Sequence, residues 1–100
     1  MNQHMFEEYF IANRQSFTEI DKEQSKKISE EFGTKWNMCH YNTWQVKLVH
    51  PNLNRFIGFV LLQDEVAVHS WLVDEDEKII DPTLILDEKY LGEEYIGVKN

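Results

Sequence analysis

The chain has 100 residues, 42% of them hydrophobic, with six Phe, four Tyr and three Trp, and carries a formal net charge of −8. That length supports one hydrophobic core rather than two, and that apolar content excludes a disordered segment. So acidic a chain lacks the clustered Lys and Arg that a nucleic-acid backbone or an anionic membrane would need, whereas a substrate with basic groups is readily accommodated.

From Met5 to Glu31 the residues Phe6, Phe10, Ile11, Phe17, Ile20 and Ile28 recur at mostly helical spacings among Glu, Lys and Gln, which predicts two amphipathic helices. The polar run from Asn13 to Ser16 divides them. Thr18 is positioned to cap the second, with Asp21 in its first turn, and Gly33 ends it. A third helix is predicted from Cys39 to Val49. Cys39, Tyr41, Trp44, Val46, Leu48 and Val49 give it a broad apolar face that should be largely buried. Pro51 has no amide hydrogen and disfavours helical geometry at His50, so the helix should stop there.

The second half changes character. Phe56 to Leu62 is almost continuously apolar, and Val66 to Val73 is rich in β-branched and aromatic residues, so both are predicted strands joined by Gln63-Asp64-Glu65. Asp74 to Glu77 reads as an exposed hairpin tip, since it lacks the alternating ligands and the glycine of a calcium loop. Lys78 to Asp81 and Glu94 to Lys99 are expected as further strands. The expected organisation is one α+β domain over 1–100: 1–33 helical, 36–50 carrying the Cys helix, and 54–100 an antiparallel sheet on which the helices pack.

Cys39 is the sole cysteine, so no internal disulfide is possible. The start Met1-Asn2-Gln3-His4 lacks the basic residues and apolar run of a signal peptide, and the longest apolar run, Phe56 to Leu62, is too short to span a bilayer. The expectation is a soluble, cytoplasmic protein.

Three residues suggest chemistry. A thiol is mostly protonated at neutral pH, and the partial positive charge of a helix start stabilises its thiolate, so Cys39 sits where a nucleophile is activated. His69 shares a strand face with Ala67, Trp71 and Val73, and Asp81 ends an apolar strand before Pro82. Taken singly, each has a structural alternative: a core cysteine, a hydrogen-bonded core histidine, a turn aspartate. With a three-residue loop at Asp74-Glu75-Asp76, Val73 faces Glu77 and His69 lies directly opposite Asp81. A two- or four-residue loop would put Ser70 there instead, leaving His69 a diagonal or bulged reach. In the expected arrangement His69 takes the thiol proton, Cys39 attacks a carbonyl carbon, and Asp81 orients the imidazole.

Cys39-His40-Tyr41-Asn42, His69-Ser70-Trp71 and Ile80-Asp81-Pro82-Thr83 together resemble the papain-like and transglutaminase-like cysteine enzymes, small bacterial and phage members in particular, with their C-H-x-N, H-x-W and I-D-P-T order. The resemblance spans about Trp36 to Leu84. It implies Cys39 as nucleophile, His69 as general base and Asp81 as orienting residue, in a minimal core of an antiparallel sheet packed on the Cys helix. It implies acyl transfer or hydrolysis of an amide, isopeptide or related bond through a thioester, with no cofactor. The oxyanion hole would combine the Cys39 amide with a side-chain donor, Asn37 or, failing that, Trp36, where papain-type enzymes usually carry Gln. Asn42 is expected to support the local backbone and Trp71 to flank His69 and shield its bond to Asp81. The small size favours a peptide, a partner-held protein or a small acyl substrate over broad endopeptidase activity. A second reading keeps the fold as a catalytically silent module that binds a protein or ligand. A third, a zinc site drawn from Cys39, His40, His50, His69 and Asp81, lacks any tight ligand-pair spacing, so no metal is expected.

Overall fold

Three α-helices and five antiparallel strands make up the computed structural model, which describes residues 2–100; Met1 lies outside the described residues. Helix α1 (Gln3–Asn13) is capped by Asn2, whose side chain accepts from the Met5 amide at 2.9 Å. A short strand β1 (Gln15–Phe17) follows, then α2 (Lys22–Phe32) and the Cys-bearing α3 (Cys39–Val49). The remaining strands are β2 (Asn54–Leu61), β3 (Val66–Val73), β4 (Ile79–Ile80) and β5 (Glu94–Lys99), with 3-10 turns at Leu84–Leu86 and Glu88–Tyr90. The α+β class expected from the sequence is the class observed.

The strands run in the order β1-β5-β2-β3-β4, and the sheet curls into a half-barrel. Its two ends are tied by the segment after β1. Ile20 bridges Ile79 in parallel, the Ile79 amide donates to the Glu19 carbonyl at 2.7 Å, and the Asp21 amide donates to the Ile79 carbonyl at 3.0 Å. Phe17, Phe56, Trp71, Ile79 and Tyr95, drawn from all five strands, form one buried cluster on the inner face. Ile28, Val46, Leu53, Leu72 and Ile80 form a second, between the sheet and α2 with α3. Fully burying side chains of this size contributes roughly 1.5–3 kcal/mol each. Gly97 serves the first cluster: a Cβ there would come within 2.6 Å of both the Trp71 ring and the Ile57 carbonyl oxygen.

Several local expectations are corrected. The 1–33 region is not wholly helical, because β1 pairs with β5. Thr18 does not cap α2. Residues 19–21 are held against β4, so the helix begins later and Asp21 is its cap, accepting from the Gln24 amide at 3.0 Å. Gly33 ends α2 as expected, in the left-handed conformation at φ 59°. Helix α1 buries no residue, although Phe10 meets Phe59 edge-on at 5.5 Å.

Nor is α3 largely buried. It turns Asn42, Thr43 and Val46 inward, while Tyr41 and Trp44 are each 50% exposed and Leu48 65%. Polar groups win the inner stripe because they tie the helix to its surroundings. Arg55 on β2, for example, donates from Nε to the Thr43 hydroxyl at 3.0 Å and from Nη2 to the His40 carbonyl at 3.2 Å.

The hairpin register also differs. Val73 faces Ile79 and Leu72 faces Ile80, so the loop is the five residues 74–78 and not three. The Asp74 carboxylate stabilises the longer loop by accepting from the amides of Asp76 and Lys78, both at 2.9 Å, and Glu77 adopts φ 61° within it. Five and three have the same parity, so His69 and Asp81 keep a common face but meet diagonally.

Candidate active site

The brevity of β4 shapes the site. It pairs only with Leu72 and Val73, which leaves the edge of β3 open from Ser70 back toward Val66. The start of α3 occupies that opening. His40 Nδ1 and the Ser70 hydroxyl share a hydrogen bond, and Cys39, one residue before His40, lines the same cavity as His69. Cys39 therefore stands at the rim of the sheet, between the helix-covered face that carries Ser70 and the inner face that carries His69.

Behind His69, every oxygen of Asp81 is occupied. Oδ2 accepts from His69 Nε2 at 2.9 Å and from the Tyr95 hydroxyl at 2.8 Å. Oδ1 accepts from the amides of Thr83 at 3.2 Å and Leu84 at 3.0 Å. The Asp81 amide itself donates to the Ser25 hydroxyl at 3.0 Å, which ties the strand end to α2. The side chain is completely buried, so this saturation is what makes its burial tolerable. With Nε2 committed to Asp81, Nδ1 is the His69 nitrogen left for the thiol.

The electrostatics follow from that chain of contacts. Burial alone pushes the Cys39 thiol up, and hydrogen bonding and charge from His69, with the Ser70 backbone, outweigh it, so the thiol titrates below its ordinary 9.0. Burial also acts to lower His69, but the Asp81 charge and hydrogen bond, reinforced by Cys39, raise it to about 9. Both shifts act in the direction of a thiolate–imidazolium pair. Tyr95 is pushed upward by burial and by the Asp81 charge, and stays a neutral hydrogen-bond donor.

Trp71 lies on the His69 face, its ring stacked at 6.3 Å and 17° to the imidazole, and it is fully buried, which keeps solvent from the far side of His69. Its Nε1 has no hydrogen-bond partner among the described residues, a cost of about 1–3 kcal/mol that ring burial must offset. Asn42 is fully engaged elsewhere. Its amide donates to the Lys35 carbonyl at 2.9 Å and the Thr83 hydroxyl at 2.8 Å, and its oxygen accepts from the Lys35 amide at 3.3 Å, so it braces the approach to α3 against the strand end. Asn37 is the exposed member of the set. It holds φ 64°, a left-handed conformation that Asn tolerates better than most residues, and it lines the same cavity as Cys39 and His69. Met38 at the helix start offers no side-chain cap, so the first-turn amides of α3 keep no local side-chain acceptor.

That cavity measures about 370 Å³ and runs from Cys39 and His69 along the inner face of β2 and β3 toward the 3-10 turns. Trp36 lies at its edge, paired with Tyr90 at 5.3 Å between ring centres.

Tyr95 and Ser25, whose side chains fix Asp81 from outside the Cys39, His69 and Asp81 set, were not singled out in the sequence. Tyr95 left one readable signal: a hydroxyl on an inward-facing position of a strand needs a buried partner. Ser25 left none, being one Ser in a charged helix. His50 bonds Glu31 at 3.2 Å and His40 bonds Ser70, so the histidines outside the site are engaged separately, and among the described residues no three His, Cys, Asp or Glu gather as metal ligands. No helix of the described residues is long and apolar enough to cross a membrane. No family model, curated protein or solved structure matches the chain.

Proposed function

We propose that the protein is a cysteine-dependent acyl-transfer enzyme, a minimal papain-like or transglutaminase-like core in which Cys39, His69 and Asp81 act as a catalytic triad. The observation that carries this reading is the convergence of Cys39 and His69 on one cavity, with the imidazole held from behind by a carboxylate that accepts from four donors.

The Cys39 thiolate attacks a carbonyl carbon and a C–S bond forms. The tetrahedral oxyanion is stabilised by the Cys39 backbone amide at the start of α3, with the Asn37 side chain as the second donor. Collapse breaks the bond to the leaving group, which departs with the proton that His69 carries. Water or an amine then attacks the thioester and gives its proton to His69, and the thiolate is released. Water yields hydrolysis and an amine yields transfer. Asp81 holds His69 with Nδ1 toward the sulfur throughout.

Iodoacetamide labelling across pH tests the proposal. The folded protein should label faster at pH 7 than the urea-unfolded chain, with an apparent thiol pKa below 9.0 that moves back up in His69→Ala. Slow labelling with an unshifted pKa would remove the nucleophile, and a thiol-directed activity probe that reacts equally with Cys39→Ala would remove the site.

A further inference from the structure

The cavity beside the thiol is apolar along most of its length. Val60 on β2, Leu62 just after it and Leu84 on the first 3-10 turn line it, together with the paired rings of Trp36 and Tyr90. Apart from the polar end at Cys39 and His69, its one carboxylate is Glu65, and it holds no Lys or Arg. At roughly 30 Å³ per heavy atom, the share of a water in the liquid, a space of about 370 Å³ takes a group of about a dozen atoms. That is far more than an acetyl or formyl group fills and too little for a folded segment.

From this geometry we infer that the acyl group transferred through Cys39 is bulky, neutral and apolar, a medium-length aliphatic or aromatic acyl chain seated between the inner face of the sheet and the Trp36–Tyr90 pair. The inference rests on the acyl-transfer reading and adds the substrate class to it. Hydrophobic burial along the cavity selects chain length, because each methylene removed from water is worth about a three- to fourfold change in rate when it is buried in the transition state. Glu65, on a chain of net charge −8, selects against an acyl group that ends in a carboxylate. The acyl carbon meets the sulfur at the polar end, where the C–S bond forms as the bond to the leaving group breaks, and the chain extends away from His69.

The test uses p-nitrophenyl esters of acetate, butyrate, hexanoate and glutarate with the full chain. Acyl-enzyme formation is followed by release of p-nitrophenolate and by intact mass, and each rate is divided by that of the same ester with N-acetylcysteine. Hexanoyl should exceed acetyl by on the order of a hundredfold, with butyryl between them and glutaryl well below hexanoyl. Ala67→Phe, which adds a ring to the cavity lining beside Val60, its partner in the β2–β3 register, should cut the hexanoyl-to-acetyl ratio at least tenfold. A thioester that forms with all four esters at similar normalised rates, or a ratio unchanged in Ala67→Phe, would overturn the inference and leave acyl transfer standing. No thioester with any ester, from a protein that iodoacetamide still labels at Cys39, would overturn both.

Discussion

Tyr95 on β5 donates a hydrogen bond of 2.8 Å to Asp81, which follows β4 with β2 and β3 lying between the two strands in the sheet, at the same carboxylate oxygen that holds His69. The phenol thereby takes up one lone-pair direction of Oδ2 and leaves the other for the imidazole, which restricts where the ring can sit. Tyr95→Phe keeps the edge-on contact with Trp71 and deletes only the donor. A lost hydrogen bond to a buried charged group costs about 1.5–3 kcal/mol, so urea unfolding should register a destabilisation of that size. Acyl transfer should fall as well, while Cys39 remains open to alkylation. A variant as stable as the parent would mean the hydroxyl has found another partner.

The pH dependence has a definite sign. The thiolate of Cys39 forms as pH rises through a pKa below 9.0, and His69 loses its proton at about 9. Acyl transfer to and from an amide should follow a bell, rising on the first limb and falling on the second. Stability follows His69 separately. Its folded pKa lies above its ordinary 6.5, so the contribution is complete below 6.5 and is lost as pH climbs through about 9. The urea midpoint should therefore drop between pH 7 and 9.5, and the drop should shrink in His69→Gln.

Asp81→Asn removes the larger of the two influences that raise His69, leaving only Cys39 to oppose the downward effect of burial. The imidazole should titrate well below about 9 by NMR, and the Cys39 thiolate should have a weaker counter-ion at neutral pH. Each pKa unit is a factor of ten in protonation equilibrium, so alkylation at pH 7 should slow by about tenfold or more. A His69 resonance that still titrates near 9 in this variant would contradict the assigned cause.

Gly97→Ala tests how the sheet makes room for Trp71. The added methyl would meet the ring and the Ile57 carbonyl oxygen, both at 2.6 Å, so either the ring or the strand must move. A loss of about 1–3 kcal/mol is expected from such overpacking. The near-ultraviolet circular dichroism of Trp71 should change with it.

Much of this architecture was legible because it is written in local patterns. The bounds of β3 and β5, the start of α3 at Cys39 and the end of α2 at Gly33 all follow from apolar runs and from breaker residues that act within a turn of where they stand. The common face of His69 and Asp81 was legible for a subtler reason. Parity decides the face, and parity survived an error of two residues in loop length. What escaped depended on distant partners. With only Phe17 buried in three residues, β1 has no alternation to read, and its existence rests on β5 some eighty positions away. The exposure of Tyr41, Trp44 and Leu48 on α3 ran against their hydrophobicity, because tertiary contacts chose Asn42 and Thr43 for the inner stripe. Of the site, Cys39, His69 and Asp81 could be proposed from order and setting, whereas Tyr95 and Ser25 are joined to Asp81 only by the fold.

Asp81 faces two ways. One oxygen steadies His69, and the other accepts the amides of Thr83 and Leu84, so the same carboxylate that holds the imidazole also anchors the turn forming one wall of the cavity. The setting of His69 and the shape of the cavity are thus mechanically linked at a single side chain. If the protein acts as proposed, a substitution there would not change turnover alone: loosening the wall would alter which substrates are held while the proposed nucleophile is weakened. On the proposed reading, new specificity is more freely reached through Val60 and Ala67, which face each other in the β2–β3 ladder rather than standing on the turn that the carboxylate anchors.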